Sequence, residues 1–199
     1  MKSRKIIYTG TCILTVVIMV VATVGNSWST MKHNPGVNVN GQKRTISIDE
    51  GLWKVCVYSD YSGTLRGCTT IESSIRGKNV DGDDEVPGWL QACRAFTVLS
   101  CLAGFVGVIT ILVSFKREMD QTRFVVSFSF VAATVLMLIA IVVYTVQFES
   151  ATEFASGDVL MPNDTDYGWA YISAWIGVIL SGIHAFTIFF VQKKNPYRY

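Results

Sequence analysis

Four long apolar blocks, Ile6–Gly25, Ala95–Phe115, Phe124–Val146 and Trp169–Val191, alternate with polar stretches along this chain. Each is close to the roughly 20 residues that a helix needs to cross a bilayer core of about 30 Å, so the pattern predicts four transmembrane helices. The first block follows Met-Lys-Ser-Arg-Lys, which is also how a signal peptide opens. Its apolar run is longer than the roughly 7–15 residues of a secretory core and no A-x-A stands at its end, so it reads as a retained helix.

Between the first two blocks the period changes. "GVNVNGQKRTISI" alternates apolar and polar residues around Asn40-Gly41, the pattern of a half-exposed hairpin. "LWKVCVY" and "LRGCTTI", joined by "SDYSGT", read as two further short strands. About four strands over roughly 40 residues bury too little surface to stand alone, so the sheet needs a staple and support from the helix ends. Residues 76–88, rich in turn formers, read as an excursion before Trp89 leads into the second helix. The expected fold class is therefore a membrane α-helical four-helix bundle carrying a small antiparallel β-sheet, a single domain over 1–199.

Charge supplies the orientation. Only 16% of the 199 residues are charged, and mean hydropathy is +0.38. Lys2, Arg4 and Lys5 precede the first block, Lys116, Arg117 and Arg123 lie in or beside the 116–123 link, and Lys193, Lys194 and Arg198 lie in the tail. Cytoplasmic loops carry the excess of Lys and Arg, so these segments and both termini are expected inside, with loops 26–93 and 147–168 outside at the plasma membrane. Such short basic segments suit anionic headgroups and not nucleic acid. His33 and His184 fall on different levels, and no Ser/His/Asp, Cys/His or multi-ligand metal pattern converges. No catalytic residue, metal or cofactor is expected, and the chain does not read as an enzyme.

The outer loop is where oxidation is permitted, so Cys56 and Cys68 are expected to form a disulfide; a loop this short removes on the order of 3 kcal/mol of unfolded-state entropy. Cys12, Cys93 and Cys101 read as packing residues. Asn163-Asp164-Thr165 is a glycosylation sequon in the second outer loop. Ser100/Gly104, Ala103/Gly107, Ser173/Gly177 and Gly177/Ser181 are small-xxx-small pairs that let helix backbones approach.

The ordered set Trp28, Gly51-Leu52-Trp53-x-x-Cys56, Cys68 and Arg94 resembles the claudin, peripheral myelin protein, epithelial membrane protein and lens intrinsic membrane protein superfamily. "GWLQACRAFTVLS" is similar to the second-helix entry of claudins and lens intrinsic membrane proteins, and "YGWAYISAWIGVILSG" to the fourth helix of the peripheral myelin branch. The resemblance implies lateral assembly, or assembly across apposed cells, with itself or related claudin-like proteins at cell–cell contacts. Its rival implication is a lateral regulator of partner membrane proteins. Three departures limit what carries over. The two cysteines lie slightly farther apart than is usual in claudins, Thr69 follows the second cysteine where cation-selective claudins often have an acid, and the tail ends Tyr197-Arg198-Tyr199 instead of Tyr-Val. Pore selectivity is therefore not implied, and binding of a cytoplasmic PDZ scaffold is not expected.

Individual residues carry competing readings. Trp28 and Trp53 are adhesive, or they hold the sheet at the bilayer surface, where amphipathic Trp collects. Arg94, on the outer side against the positive-inside bias, clamps a carboxylate or sheet carbonyls, or lines a pore. His184 is expected to be neutral and hydrogen-bonded between helices. Phe148 and Phe154 resemble the aromatic tip by which claudins touch a facing cell, and helix-end packing explains them equally well.

Overall fold

Inside a bilayer the backbone must satisfy its own hydrogen bonds, and the four apolar blocks do so as α-helices. The computed structural model describes residues 2–33, 38–39, 42–43, 46–59, 64–71, 86–114, 121–155 and 164–193. The helices are α1 (Lys2–Val24), α2 (Gly88–Ser114), α3 (Gln121–Ala155) and α4 (Trp169–Lys193), each with a stretch long and apolar enough to cross a membrane.

Two boundaries differ from expectation for physical reasons. The second helix begins at Gly88, not Ala95, because Pro87 opens it: the N–H groups of Leu90 and Gln91 both donate to the Pro87 carbonyl, at 2.9 and 3.2 Å. The third helix runs past Val146 to Ala155. Hydropathy falls there, yet Gln147, Glu149, Ala151, Glu153 and Ala155 are good helix formers.

The chain divides into two compact units, one comprising Met1–Val21, Ala95–Ile141 and Ser173–Tyr199, the other Ala22–Arg94 and Val142–Ile172. The first is helical. Its core holds Cys12, Val16, Val108, Val126, Phe130, Ala185 and Ile188, with Tyr8, Val20 and Ile111 packed against it. The small-residue pairs sit where helices close up. A side chain at Gly104 would stand 3.0 Å from Val16, one at Gly107 3.0 Å from Phe130, and one at Gly177 2.8 Å from Met19. Hydroxyls stitch the same surfaces: Ser100 donates to the Ala133 carbonyl at 2.7 Å and Thr134 to Ser181 at 2.9 Å. His184 lies among them, its Nε2 3.1 Å from the Thr15 hydroxyl and its ring against Tyr8 and Phe130. Thr15 Oγ1 also donates to the Thr11 carbonyl at 3.0 Å.

The second unit contains the sheet. Strands β1 (Ser29–His33), β4 (Ile46–Glu50), β5 (Lys54–Ser59), β6 (Thr64–Thr70) and β7 (Asp164–Tyr167) form one antiparallel sheet in the order β6-β5-β4-β1-β7. Four of the five strands come from the first loop, the number expected there, and the fifth, β7, comes from the second. The stretch around Asn40-Gly41 pairs only as β2 (Asn38–Val39) with β3 (Gln42–Lys43), in a two-stranded sheet of its own. "ISI" instead lies between β1 and β5, where both of its edges are paired.

Candidate functional site

The signature residues converge where the sheet meets the end of α1. A helix end leaves its last carbonyls without intrahelical partners, and here two tryptophans supply them. Trp28 Nε1 donates to the Ala22 carbonyl and Trp53 Nε1 to that of Thr23, both at 2.8 Å. Trp53 reaches that helix end because Gly51 lets the turn before β5 approach residues 25 and 26. Any Cβ at 51 would lie 2.5 Å from the Gly25 oxygen and 2.8 Å from the Asn26 Cα. Leu52 is fully buried, and its carbonyl accepts from Arg94 Nε at 2.7 Å, while the guanidinium lies 4.9 Å from the centre of the Trp53 ring. Arg94 on α2 thus meets a carbonyl of the sheet's own turn.

Trp28 departs from the reading that placed it at the bilayer surface, since it is fully buried within protein. Its ring packs edge-on against Tyr144 (5.0 Å) and Tyr171 (6.1 Å), and its own N–H and C=O pair with Glu50 and Gly168. Trp53 is 37% exposed. Tyr144 extends the cluster to Phe148, stacked at 6.1 Å, and Phe148 meets Tyr167 at 5.2 Å. Phe148 thus packs against the rings of Tyr144 and Tyr167; the Phe154 side chain and Asn163 lie outside the described residues. Tyr144 Oη also donates to the Ser29 hydroxyl at 3.0 Å, joining α3 to β1.

Cys56 and Cys68 form the expected disulfide, directly opposite one another on β5 and β6 with Cα atoms 4.1 Å apart. Strand β6 ends the sheet, and its residues 67–70 are exposed. Inward from it, Val57, Ile48 and Met31 align in register across β5, β4 and β1, each partly exposed. On the neighbouring row Thr30 donates to Asp49 Oδ1 at 3.0 Å and stands opposite Asp166. Among the described residues no group of three or more His, Cys, Asp or Glu is placed to hold a metal ion. The arrangement is a stapled, helix-seated sheet whose terminal strand β6 is exposed at residues 67–70.

A sequence profile of the PMP-22/EMP/MP20/Claudin family matches residues 5–187. The chain belongs to this family. It is also similar to the lens fiber membrane intrinsic protein of Bos taurus, 25% identical over 169 residues that cover 83% of this chain and 78% of the relative. The corresponding proteins of Rattus norvegicus and Mus musculus are each 24% identical over the same shares. The family consists of structural membrane proteins. In this member the residues that carried the resemblance have mechanical roles: Gly51 permits the approach, Trp28 and Trp53 cap α1, Arg94 holds the turn, and Cys56–Cys68 closes the edge hairpin. Sequence reasoning missed Tyr144, Tyr167, Tyr171 and Gly168. Tyr167, Gly168 and Tyr171 lie in the segment similar to the fourth helix of the peripheral myelin branch, but nothing in that resemblance gave them a role, and interfacial aromatics at the ends of apolar blocks are ordinary.

Proposed function

We propose that this family member is a multi-pass plasma-membrane protein of cell–cell contacts, which assembles laterally and with itself or related claudin-like proteins of an apposed membrane to control adhesion or paracellular passage. The observation that carries this reading is the immobilised sheet. It is fixed to helix ends by Trp28, Trp53 and Arg94 and stapled by Cys56–Cys68, and its terminal strand β6 is exposed at residues 67–70. Holding an exposed surface rigid lowers the ordering cost of a contact with another chain. The excess of Lys and Arg in the three basic segments supports cytoplasmic termini, and with them an outward-facing sheet and sequon at Asn163.

The test is imaging of a cytoplasmically tagged copy in cells that lack junctional strands, mixed with non-expressing cells. Enrichment only where two expressing cells meet is expected, and transepithelial conductance then separates barrier from pore. An even distribution over the surface overturns the reading and favours lateral binding to partner membrane proteins.

A further inference from the structure

The two halves of the Cys56–Cys68 bridge have unlike surroundings. Cys56, on β5 between β4 and β6, is fully buried, whereas Cys68, on the terminal strand β6, is exposed. Cys12, Cys93 and Cys101 are buried within α1 and α2, so Cys68 is the one exposed cysteine of the five. Thiol–disulfide exchange needs a thiolate and access to the sulfur it attacks. Access selects Cys68.

Charge selects the same sulfur. Lys54 is exposed and stands opposite Thr70, one row from the bridge on the same face of the sheet. Diagonal neighbours on paired strands lie about 7–8 Å apart, within reach of a lysine side chain. An ammonium there favours both the incoming thiolate and the one that departs. The acid opposite Cys56 is Asp49, and its Oδ1 is engaged on the other side by the Thr30 hydroxyl of β1. The place of the bridge also decides what opening changes. The β5–β6 ladder shifts register between Val57 and Tyr58, next to Cys56, so the bridge pins the terminal strand where its backbone pairing is interrupted.

We infer that the Cys56–Cys68 bridge is a redox latch, opened by an external dithiol that attacks Cys68 beside Lys54. A thiolate of the dithiol attacks Cys68 Sγ, the S–S bond breaks, and Cys56 leaves with the electron pair and takes up a proton. The second thiolate of the dithiol then attacks its partner sulfur in the mixed disulfide and expels Cys68, which is protonated in turn. Two electrons and two protons pass from the dithiol to the chain, and the dithiol leaves as its own disulfide. The inference is independent of the contact reading, because its test contains no cells.

The folded full chain, extracted in mild detergent, is treated briefly with reduced glutathione, alkylated, and mapped by peptide mass spectrometry. Dithiothreitol in a parallel reaction gives the rate of full opening. Glutathione on Cys68 with alkylated Cys56 is expected in at least about tenfold excess over the reverse. Lys54→Gln should slow opening by dithiothreitol about two- to fourfold, Lys54→Arg should restore the rate, and Lys32→Gln should not change it. Glutathione on Cys56 in equal or greater amount overturns the inference. Opening only at denaturant concentrations that unfold the sheet overturns it as well, as does a rate that Lys54→Gln leaves unchanged.

Discussion

Arg94 on α2 donates from Nε to the carbonyl of Leu52 at 2.7 Å, while its guanidinium lies over the ring of Trp53. One side chain thus holds two consecutive residues of the turn between β4 and β5. Hydrogen bonds from charged donors contribute about 1.5–3 kcal/mol and a partly exposed cation–π contact about 0.5–1. Arg94→Ala should lower stability by roughly 2–4 kcal/mol in thermal unfolding of the detergent-solubilised protein. Arg94→Lys should recover less than half, because an ammonium lacks the planar fork.

Trp28 combines a packing role with a polar one, and two substitutions separate them. Trp28→Phe keeps an aromatic body but leaves the Ala22 carbonyl without its donor, a cost of about 1–3 kcal/mol. Trp28→Ala also empties the space beside Tyr144 and Tyr171 and should cost about 3–5 kcal/mol. Denaturant titration of the two variants side by side reads the difference.

Removing the staple should loosen the sheet and leave the helices. The double variant Cys56→Ser/Cys68→Ser is expected to lose about 3 kcal/mol. Limited proteolysis should then cut between β5 and β6, while the far-ultraviolet helical signal stays within error of the parent.

Two glycines near close contacts should respond differently to alanine. At Gly168 a Cβ would collide with the backbone oxygen of Ser27, which is held by its bond from the Ala170 N–H. At Gly177 the nearest atom is the Met19 Cγ at 2.8 Å, part of a flexible side chain. Gly168→Ala should abolish accumulation of folded protein, whereas Gly177→Ala should cost no more than about 1–3 kcal/mol, typical of mild overpacking. Size-exclusion profiles after extraction distinguish the two.

The Thr15–His184 bond should appear as a coupling. Thr15→Val and His184→Ala, alone and combined, form a double-mutant cycle whose interaction energy is expected at about 0.5–1.5 kcal/mol.

What the sequence made legible follows the range of the forces involved. The membrane helices depend on composition over about 20 residues, so apolar blocks reveal them; the same rule fails at Gln147–Ala155, where helix propensity outlasts hydropathy. The strands at Lys54–Ser59 and Thr64–Thr70 were readable from β-branched residues and the cysteine bracket. Asp164–Tyr167 was not, because Asp-Thr-Asp-Tyr has little strand preference and is extended by its partner Ser29–Lys32, distant in sequence. Arg94 was legible as a clamp, because a cation at the head of an apolar helix demands a partner. The burial of Trp28 was not, because Tyr144 and Tyr171 come from other helices.

The pairing of β7 with β1 also imposes an order on biogenesis. Strand β1 is made early, directly after the first helix, but the segment that covers its second edge is made only after α2 and α3 and immediately before α4. During synthesis that edge stays open while two spans are still being inserted. The last strand to arrive closes the sheet, and the same short stretch leads through Gly168 into the final helix, so the sheet cannot be completed until all but the last span has been made.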